Sequence, residues 1–347
     1  MGGSTGNGGL LFAILVSGML PSTALGAAAC LEFDEASLKS RLQIPALIES
    51  SGLACSRQFP DLLWSHNDSG GGPFVYAFRS DGTAMGRLEL DGVDATDWEA
   101  LGLGPCGDQT CLFIGDIGDN AAARSKVTIW RVPEPPAPGA GQTVRGQAEP
   151  LDLVYPEGPR DAEGLAVDPK TGDLFIVEKA FDRVASAYRI PAAAWNGSQE
   201  PFEAELVTRV SLEGGTEALL VTQADIDPTG SELFLGTYGA GYRLELLRTD
   251  GVVTDFAPAL KAPVYGDGQC EAMSYSASGL RLYFTCEASP TPLAQSNCKR
   301  TRAEPEANSD PPPKAADSVG CHCGATSIAP GLCILILGSI LRRRRHT

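Results

Sequence analysis

One two-strand phrase occurs five times along the chain, and this repeat limits the fold more than any other feature of the sequence. Its clearest copy is RDAEGLAVDPKTGDLFIVEK, residues 160–179, in which two apolar runs flank a turn containing Pro and Gly. Short apolar runs joined by such a turn are typical of a β-hairpin. The other copies start at Glu49, Asp97, Thr222 and Gln269, roughly 50 to 60 residues apart.

Further strand-like runs lie between the copies, so each unit contains about four strands. Four-stranded units at this spacing predict an all-β protein, a β-propeller of five blades, or six if a long connection hides one more. The fifth unit lacks its last strand, and we expect residues 33–48 to complete that blade and close the ring. A two-sheet sandwich is the alternative, but it does not account for the fivefold repeat.

The two ends of the chain have the composition of targeting segments. Residues 1–29 contain an apolar run and end in small residues, which is typical of a signal peptide. The propeller is therefore predicted for residues 30–300, followed by a disordered Pro-rich linker at 301–319. Residues 320–347 contain an apolar stretch, predicted to be a short transmembrane helix, and four arginines.

The end of the chain, GCHCG followed by the apolar stretch and RRRR, resembles the MYXO-CTERM sorting tail of exported myxobacterial proteins. The resemblance implies cleavage by a sorting protease near Cys321, lipidation of Cys321, and anchoring of a lipoprotein at the cell surface or outer membrane. A plain C-terminal membrane anchor is the alternative interpretation.

The repeat itself resembles a group of exported bacterial β-propeller proteins, through the phrases LWSHNDSG, DWEALGLG, IGDIGDN and DAEGLAVD. This resemblance supports the fold more than any activity. A looser likeness, to propellers of the gluconolactonase, paraoxonase and phytase type, implies calcium held by carboxylates around the central channel.

Cysteine placement is compatible with disulfides in an exported protein. Cys106 and Cys111 flank a short loop, and Cys270 and Cys286 lie on neighbouring predicted strands. Three cysteines then remain before the tail, which leaves one further pair and an odd thiol, unless Cys30 carries a lipid.

The formal charge of −16 argues against nucleic acid as a partner, because phosphate contacts need clustered Lys and Arg. The negative charge favours cations as ligands. Alternatively, it serves only to keep the protein soluble and monomeric.

Acidic residues recur at one end of the repeated hairpin. The first strand of the five copies opens in order with Glu49, Glu99, Glu163, Thr222 and Glu271. The second strand ends in order with His66, Asp116, Glu178, Thr237 and Glu287. Since the start of one strand lies beside the end of the next in an antiparallel hairpin, we expect these side chains to encircle one mouth of the channel.

This ring predicts a ligand site, because close carboxylates repel one another unless a proton or a cation lies between them. The candidate ligand-binding residues are Glu49, Asn67, Asp68, Asp97, Glu99, Asp161, Glu163, Glu178, Glu271 and Glu287. The candidate calcium ligands are Glu99, Glu163, Glu271, Asp116, Asp119 and Asn120. The alternative is structural, since Asp and Asn often satisfy backbone N–H groups at turns and strand ends.

Two functions follow from these features. The first is a surface-displayed binding module for an unknown protein, glycan or small molecule, with an acidic, calcium-binding channel mouth. The second is a metal-dependent hydrolase of esters, lactones or phosphoesters, in which His66 acts as the catalytic base. His66 would equally serve to hold the HNDSGGG loop in shape, and no G-x-S-x-G motif supports a serine hydrolase.

Overall fold

The structure is a computed structural model that describes residues 29–197 and 201–301, and these residues form five β-sheets. The N-terminal strands are β1 (Cys30–Phe33) and β2 (Ser37–Arg41). The first repeat contains β3 (Ser50–Cys55), β4 (Leu62–Asn67), β5 (Phe74–Arg79) and β6 (Ala84–Asp91). The second contains β7 (Trp98–Cys106), β8 (Gln109–Asp116), β9 (Val127–Pro133), β10 (Thr143–Gln147) and β11 (Glu149–Val154).

The third repeat contains β12 (Ala162–Val167), β13 (Leu174–Glu178), β14 (Val184–Ile190), β15 (Phe202–Glu203) and β16 (Glu205–Ser211). The fourth contains β17 (Val221–Ile226), β18 (Glu232–Thr237), β19 (Gly241–Thr249), β20 (Val252–Phe256) and β21 (Leu260–Ala262). The fifth contains β22 (Ala272–Tyr275), β23 (Arg281–Thr285) and β24 (Pro292–Thr301). Two 3₁₀ turns, η1 (Ala192–Asn196) and η2 (Thr216–Ala218), lie in the connections.

The five sheets form a closed ring of blades around their innermost strands. Strand β3 packs beside β7, β7 beside β12, β12 beside β17, β17 beside β22, and β22 again beside β3. Each inner strand is followed outward by strands paired antiparallel, in chain order. This closed arrangement of five confirms the predicted propeller, and the described residues contain no sixth blade.

Blade 5 is completed by the beginning of the chain, as expected. Strand β1 pairs with the distal part of β24, and β2 pairs with its first part, both antiparallel. A disulfide between Cys30 and Cys298 fastens β1 to β24. The two ends of the propeller are therefore joined covalently as well as by backbone hydrogen bonds.

Two short strands were not predicted. Strand β10 pairs parallel to β6 at the edge of blade 1, and β15 pairs parallel to β11 at the edge of blade 2. Strand β10 lies in the connection between β9 and β11, and β15 lies in the connection between β14 and β16, so each comes from the repeat after the blade that it joins. Both cover backbone groups that an open sheet edge would expose.

Large apolar side chains fill the space between blades. Trp64, Trp98, Tyr188 and Tyr242 are fully buried there. The hairpin turn at Asp168 is built as its sequence suggests, since that carboxylate accepts the Lys170 N–H at 3.0 Å.

The predicted disulfides Cys106–Cys111 and Cys270–Cys286 are confirmed, and the third pair is Cys30–Cys298. Cys55 is the odd thiol among the described residues, and it is buried. Across residues 29–197 and 201–301, none of the helical segments has the length and apolar character to cross a bilayer. The predicted signal peptide, linker and anchor fall outside the described residues, except for residues 29 and 301, and Cys321 also lies outside them.

Candidate functional site

The inner strands share a local irregularity near their first residue. In blades 1 to 4 the pairing with the second strand skips one residue there, as in a β-bulge. The skipped residues are Ser51, Glu99, Glu163 and Thr222. Glu271, which directly precedes β22, completes the series in blade 5. Four of these five residues, Ser51, Glu163, Thr222 and Glu271, line the narrow central channel.

The strand register corrects the predicted alignment of the repeats. Ser51, and not Glu49, occupies the bulge position in blade 1, and Glu49 lies two residues earlier, exposed. At the end of the second strand, Asn67 is the residue that pairs with the start of β3. His66 therefore lies one residue before the position that Asp116 and Glu178 occupy in blades 2 and 3. Alignment of the copies by residue type matches Glu49 with Glu99, and it does not reveal that the first copy is displaced by two residues.

Three glutamates converge at this end of the channel. Glu99, Glu163 and Glu271 are only 3%, 3% and 5% exposed. Asp68 and Asp97 lie next to Glu99, and one carboxylate oxygen from each of these three residues falls within 4.8 Å of the other two. We call Asp68, Asp97, Glu99, Glu163, Glu271 and Glu287 the acidic cluster.

Crowding and burial perturb the protonation of the acidic cluster. Burial, reinforced by Glu163, raises the pKa of Glu99 well above its ordinary value. Burial and the neighbouring Asp68 raise the pKa of Asp97 to about 6, and burial together with Glu271 raises that of Glu287 to about 7. At neutral pH Glu99 therefore holds a proton and Glu287 holds one about half of the time, unless a cation lies between the carboxylates.

Only part of this charge is balanced within the protein. The Lys179 ammonium pairs with Oε1 of Glu163, while the buried Oε2 of Glu163 has no hydrogen-bond partner among the described residues. The Tyr238 hydroxyl donates to Glu271 at 2.6 Å, and the Ser51 hydroxyl donates to Glu99 Oε2 at 3.2 Å.

Lys179 is a site residue that the sequence reasoning missed. It directly follows Glu178 at the end of β13, the position where a side chain returns to the channel mouth. The hairpin argument that placed the acidic residues there applies equally to this lysine. The lysine that ends the copy at residues 160–179 was the sequence feature that could have revealed it.

The carboxylates of the GDIGDN loop make internal contacts that stabilise the loop. Asp116 accepts the backbone N–H groups of Thr96 and Asp97 and pairs with the Arg124 guanidinium at 2.8 Å. Asp119 accepts two further N–H groups, from residues 123 and 124. Asn120 is exposed. These contacts give Asp116 and Asp119 a structural role, and the calcium-ligand role of Asp116, Asp119 and Asn120 stays a prediction.

Three of the other predicted ligand-binding residues shape the backbone around the acidic cluster. Asn67 accepts the N–H groups of Ile48 and Glu49. Asp161 accepts the Asp119 N–H at 2.9 Å. Glu178 accepts a backbone N–H at 3.3 Å and lies 3.7 Å from a guanidinium nitrogen.

The backbone of Gly118 lies directly against two members of the acidic cluster. A Cβ atom at this position would collide with Oδ2 of Asp97 and would lie 2.6 Å from Oε1 of Glu99. The glycine therefore allows the loop after β8 to close over these two carboxylates. No larger residue fits without pushing them apart.

His66 is buried beneath the loop that it was predicted to serve. Its side chain is 0% exposed, and its ring packs edge-on against Trp98 at 5.4 Å between centroids. Nδ1 lies 2.8 Å from the Asn67 carbonyl oxygen. Burial lowers the pKa of His66, so the ring is neutral. This environment favours the structural role that the sequence had left open.

No protein-family model matches the chain, and no curated protein matches it significantly in sequence. Among solved structures, the chain is similar to the crystal structure of RRP9 WD40 repeats, with a TM-score of 0.38 and 8% sequence identity. The similarity covers 80% of this chain and 99% of that chain. At this level it carries no argument, and the five-bladed architecture rests on the strand pairing described above.

Proposed function

We propose that this protein is a surface-anchored β-propeller binding module whose ligand site is the acidic cluster, with Ca²⁺ held at the channel mouth. One observation carries the proposal. Carboxylate oxygens of Asp68, Asp97 and Glu99 lie within 4.8 Å of one another, and no basic side chain pairs with any of the three among the described residues. Such a group of hard oxygens suits a divalent cation.

The unpaired Oε2 of Glu163 is a second reason to expect a cation in the acidic cluster, although Glu163 is not among the three carboxylates above. A buried carboxylate oxygen without a partner is costly, because it has lost its hydration and gained nothing in return. A cation bound beside it would reduce that cost through charge attraction. Ca²⁺ takes six to eight oxygen ligands. Three protein carboxylates would leave positions for oxygen atoms of a protein, glycan or small-molecule ligand.

Export and anchoring are part of the proposal. Three disulfides among the described residues suit an oxidising compartment. The signal peptide, the sorting tail and the lipid at Cys321 rest on the sequence of the two ends. Cleavage near Cys321 would be detected by intact-mass measurement of the protein isolated from its membrane fraction.

Calcium titration calorimetry tests the site directly. We expect the wild-type protein to bind Ca²⁺, and Asp97→Asn or Glu99→Gln to weaken binding by at least about tenfold, because each removes a charged ligand. Asp94→Asn is the matched control, since this exposed carboxylate lies only three positions from Asp97. Equal Ca²⁺ affinity in all four proteins would refute the proposed site.

A metal-dependent hydrolase is the second candidate, and one observation favours it. The half-buried carboxyl group of Glu287 has its pKa raised to about 7 by burial and by Glu271, which suits a general base near neutral pH. If the protein is a hydrolase, aryl esters, lactones or phosphoesters will be turned over with Ca²⁺ present. Glu287→Gln would then abolish turnover. Absence of turnover across such a panel would eliminate this candidate.

A further inference from the structure

One cavity lined by described residues lies far from the acidic cluster. It has a volume of about 750 Å³ and is formed between blades 2 and 3. Its walls include the β7–β8 turn and the β12–β13 turn, which lie at the opposite end of the hairpins from Glu99 and Glu163. The cavity therefore opens on the other face of the propeller, and it lies within the size range of small-ligand sites.

An aromatic wall is fixed in this cavity. Trp195, on η1, is half-buried and lines the cavity, and the ring of Phe113 packs against it at 6.0 Å between centroids. The Arg131 guanidinium stacks on the indole at 4.2 Å from its centroid, and is itself held by an ion pair with Glu149. The part of the indole that Arg131 and Phe113 leave uncovered offers apolar contact area at little entropic cost.

The turns that frame the wall are rigid. The disulfide Cys106–Cys111 ties the two ends of the β7–β8 turn together. Gly172, with a φ of +75°, lets the β12–β13 turn approach blade 2, where a Cβ atom would lie 3.0 Å from the Pro105 carbonyl oxygen. The cavity is therefore largely formed before any ligand arrives.

The polar side chains of the cavity include two amides, Gln109 and Asn196, and two basic groups, Arg131 and Lys170, which are already engaged. Gln109 and Asn196 are exposed at its rim, and their side-chain amides make no hydrogen bond to the described residues. Arg131 is paired with Glu149, and the Lys170 ammonium donates to the Gly230 carbonyl at 3.1 Å. Free amides beside an aromatic face suit a ligand with hydroxyl groups at its edge and an apolar C–H face. Sugar rings have that character.

We propose that this cavity binds a neutral glycan, with a sugar ring packed against Trp195 and its hydroxyls hydrogen-bonded to Gln109 and Asn196. The site is separate from the acidic cluster and does not depend on Ca²⁺. It would give the propeller two binding faces, one for a cation and its ligand and one for a carbohydrate. The amides supply both donors and acceptors, as a hydroxyl-rich ligand requires.

Saturation-transfer NMR and titration calorimetry with three neutral trisaccharides test the proposal. The probes are maltotriose, cellotriose and triacetylchitotriose, each titrated up to about 10 mM so that millimolar binding is detected. We expect at least one to bind. Trp195→Ala should weaken its binding at least about tenfold, and Gln109→Ala, a change at an exposed side chain that leaves the core intact, at least about threefold.

Two variants at the other face serve as controls. Phe181→Ala removes an aromatic side chain that is 75% exposed near the acidic cluster, and Asp97→Asn alters the proposed cation site. Both should retain sugar binding, with or without chelator. The proposal is wrong if none of the three sugars binds, if Gln109→Ala and Trp195→Ala bind normally, or if Asp97→Asn abolishes binding. The last result would place the sugar at the acidic cluster instead.

Discussion

The ammonium group of Lys179 and the carboxylate of Glu163 form a buried ion pair at the mouth of the channel. Their side chains are 13% and 3% exposed, and both belong to the same hairpin. The charged form of Glu163 is still disfavoured, because burial and Glu271 raise its pKa more than Lys179 lowers it. One lysine therefore does not balance the surrounding acids.

Lys179→Met should destabilise the protein by about 2 to 3 kcal/mol at pH 8, because it leaves the Glu163 charge buried without its partner. Urea unfolding measures the loss. Adding Glu163→Gln to Lys179→Met should recover most of it. Lys126→Met is the control, since the Lys126–Asp152 pair is largely exposed on the lysine side and should contribute less than about 1 kcal/mol. Equal losses in the two single variants would contradict this account.

Stability in the presence of a chelator should fall as the pH rises from about 6.5 to 8.5. Glu287 has its folded pKa raised to about 7, and burial also raises the pKa of Glu99 and Glu163. The folded state therefore binds more protons than the unfolded state in this range, and the stability they contribute is lost as they dissociate. His66, whose pKa is lowered by burial, has the opposite effect only at lower pH.

Ca²⁺ should reverse that trend, since it binds the deprotonated carboxylates. Thermal unfolding at both ends of the pH range, with chelator and with Ca²⁺, measures the difference. We expect the stabilisation by Ca²⁺ to be larger at the higher pH. A Ca²⁺ effect that grows toward lower pH would contradict the proposed ligands.

Removing the Cys30–Cys298 disulfide should destabilise the propeller by about 5 kcal/mol, because it closes a span of 268 residues and holds β1 on blade 5. The comparison is the Cys106–Cys111 pair, which spans only 5 residues and should contribute less. Cys298→Ser and Cys111→Ser, compared by urea unfolding, provide the test. The disulfide also leaves no thiol at Cys30 for a lipid.

Asp119→Asn separates loop stability from metal binding. Asp119 accepts two backbone N–H groups, so we expect a loss of about 1 kcal/mol in stability and no change in Ca²⁺ affinity. Gly118→Ala should show the opposite pattern, with lower Ca²⁺ affinity and little change in stability. Its methyl group would displace Asp97 and Glu99, and Ca²⁺ affinity should fall although no carboxylate has been removed. Loss of Ca²⁺ binding in Asp119→Asn would return that residue to the set of ligands.

The blade count was predictable because each repeat carries its own hairpin with recognisable turn chemistry. The closing strand was predictable in part, since blade 5 lacked a fourth strand and residues 33–48 were left over. Strands β10 and β15 were not, because short parallel edge strands have no strong pattern of their own.

The site was predictable only at the level of which end of the blades is acidic. Glu99 and Glu163 occupy equivalent bulge positions, as the hairpin argument requires. The same argument misplaced Glu49 because a single sequence does not show which residue of each copy occupies the bulge, and the first copy was therefore aligned two residues out of register. It also could not separate carboxylates that face a cavity from those, such as Asp116, that a nearby arginine satisfies.

A crystal structure with bound Ca²⁺, phased to locate the ion by anomalous scattering, tests the central claim most directly. The account predicts one calcium peak at about 2.3 to 2.6 Å from carboxylate oxygens of Asp68, Asp97 and Glu99. The peak should be absent from crystals of Asp97→Asn grown in the same solution. A wild-type channel mouth without a calcium peak, or a peak held by other residues, would contradict the account.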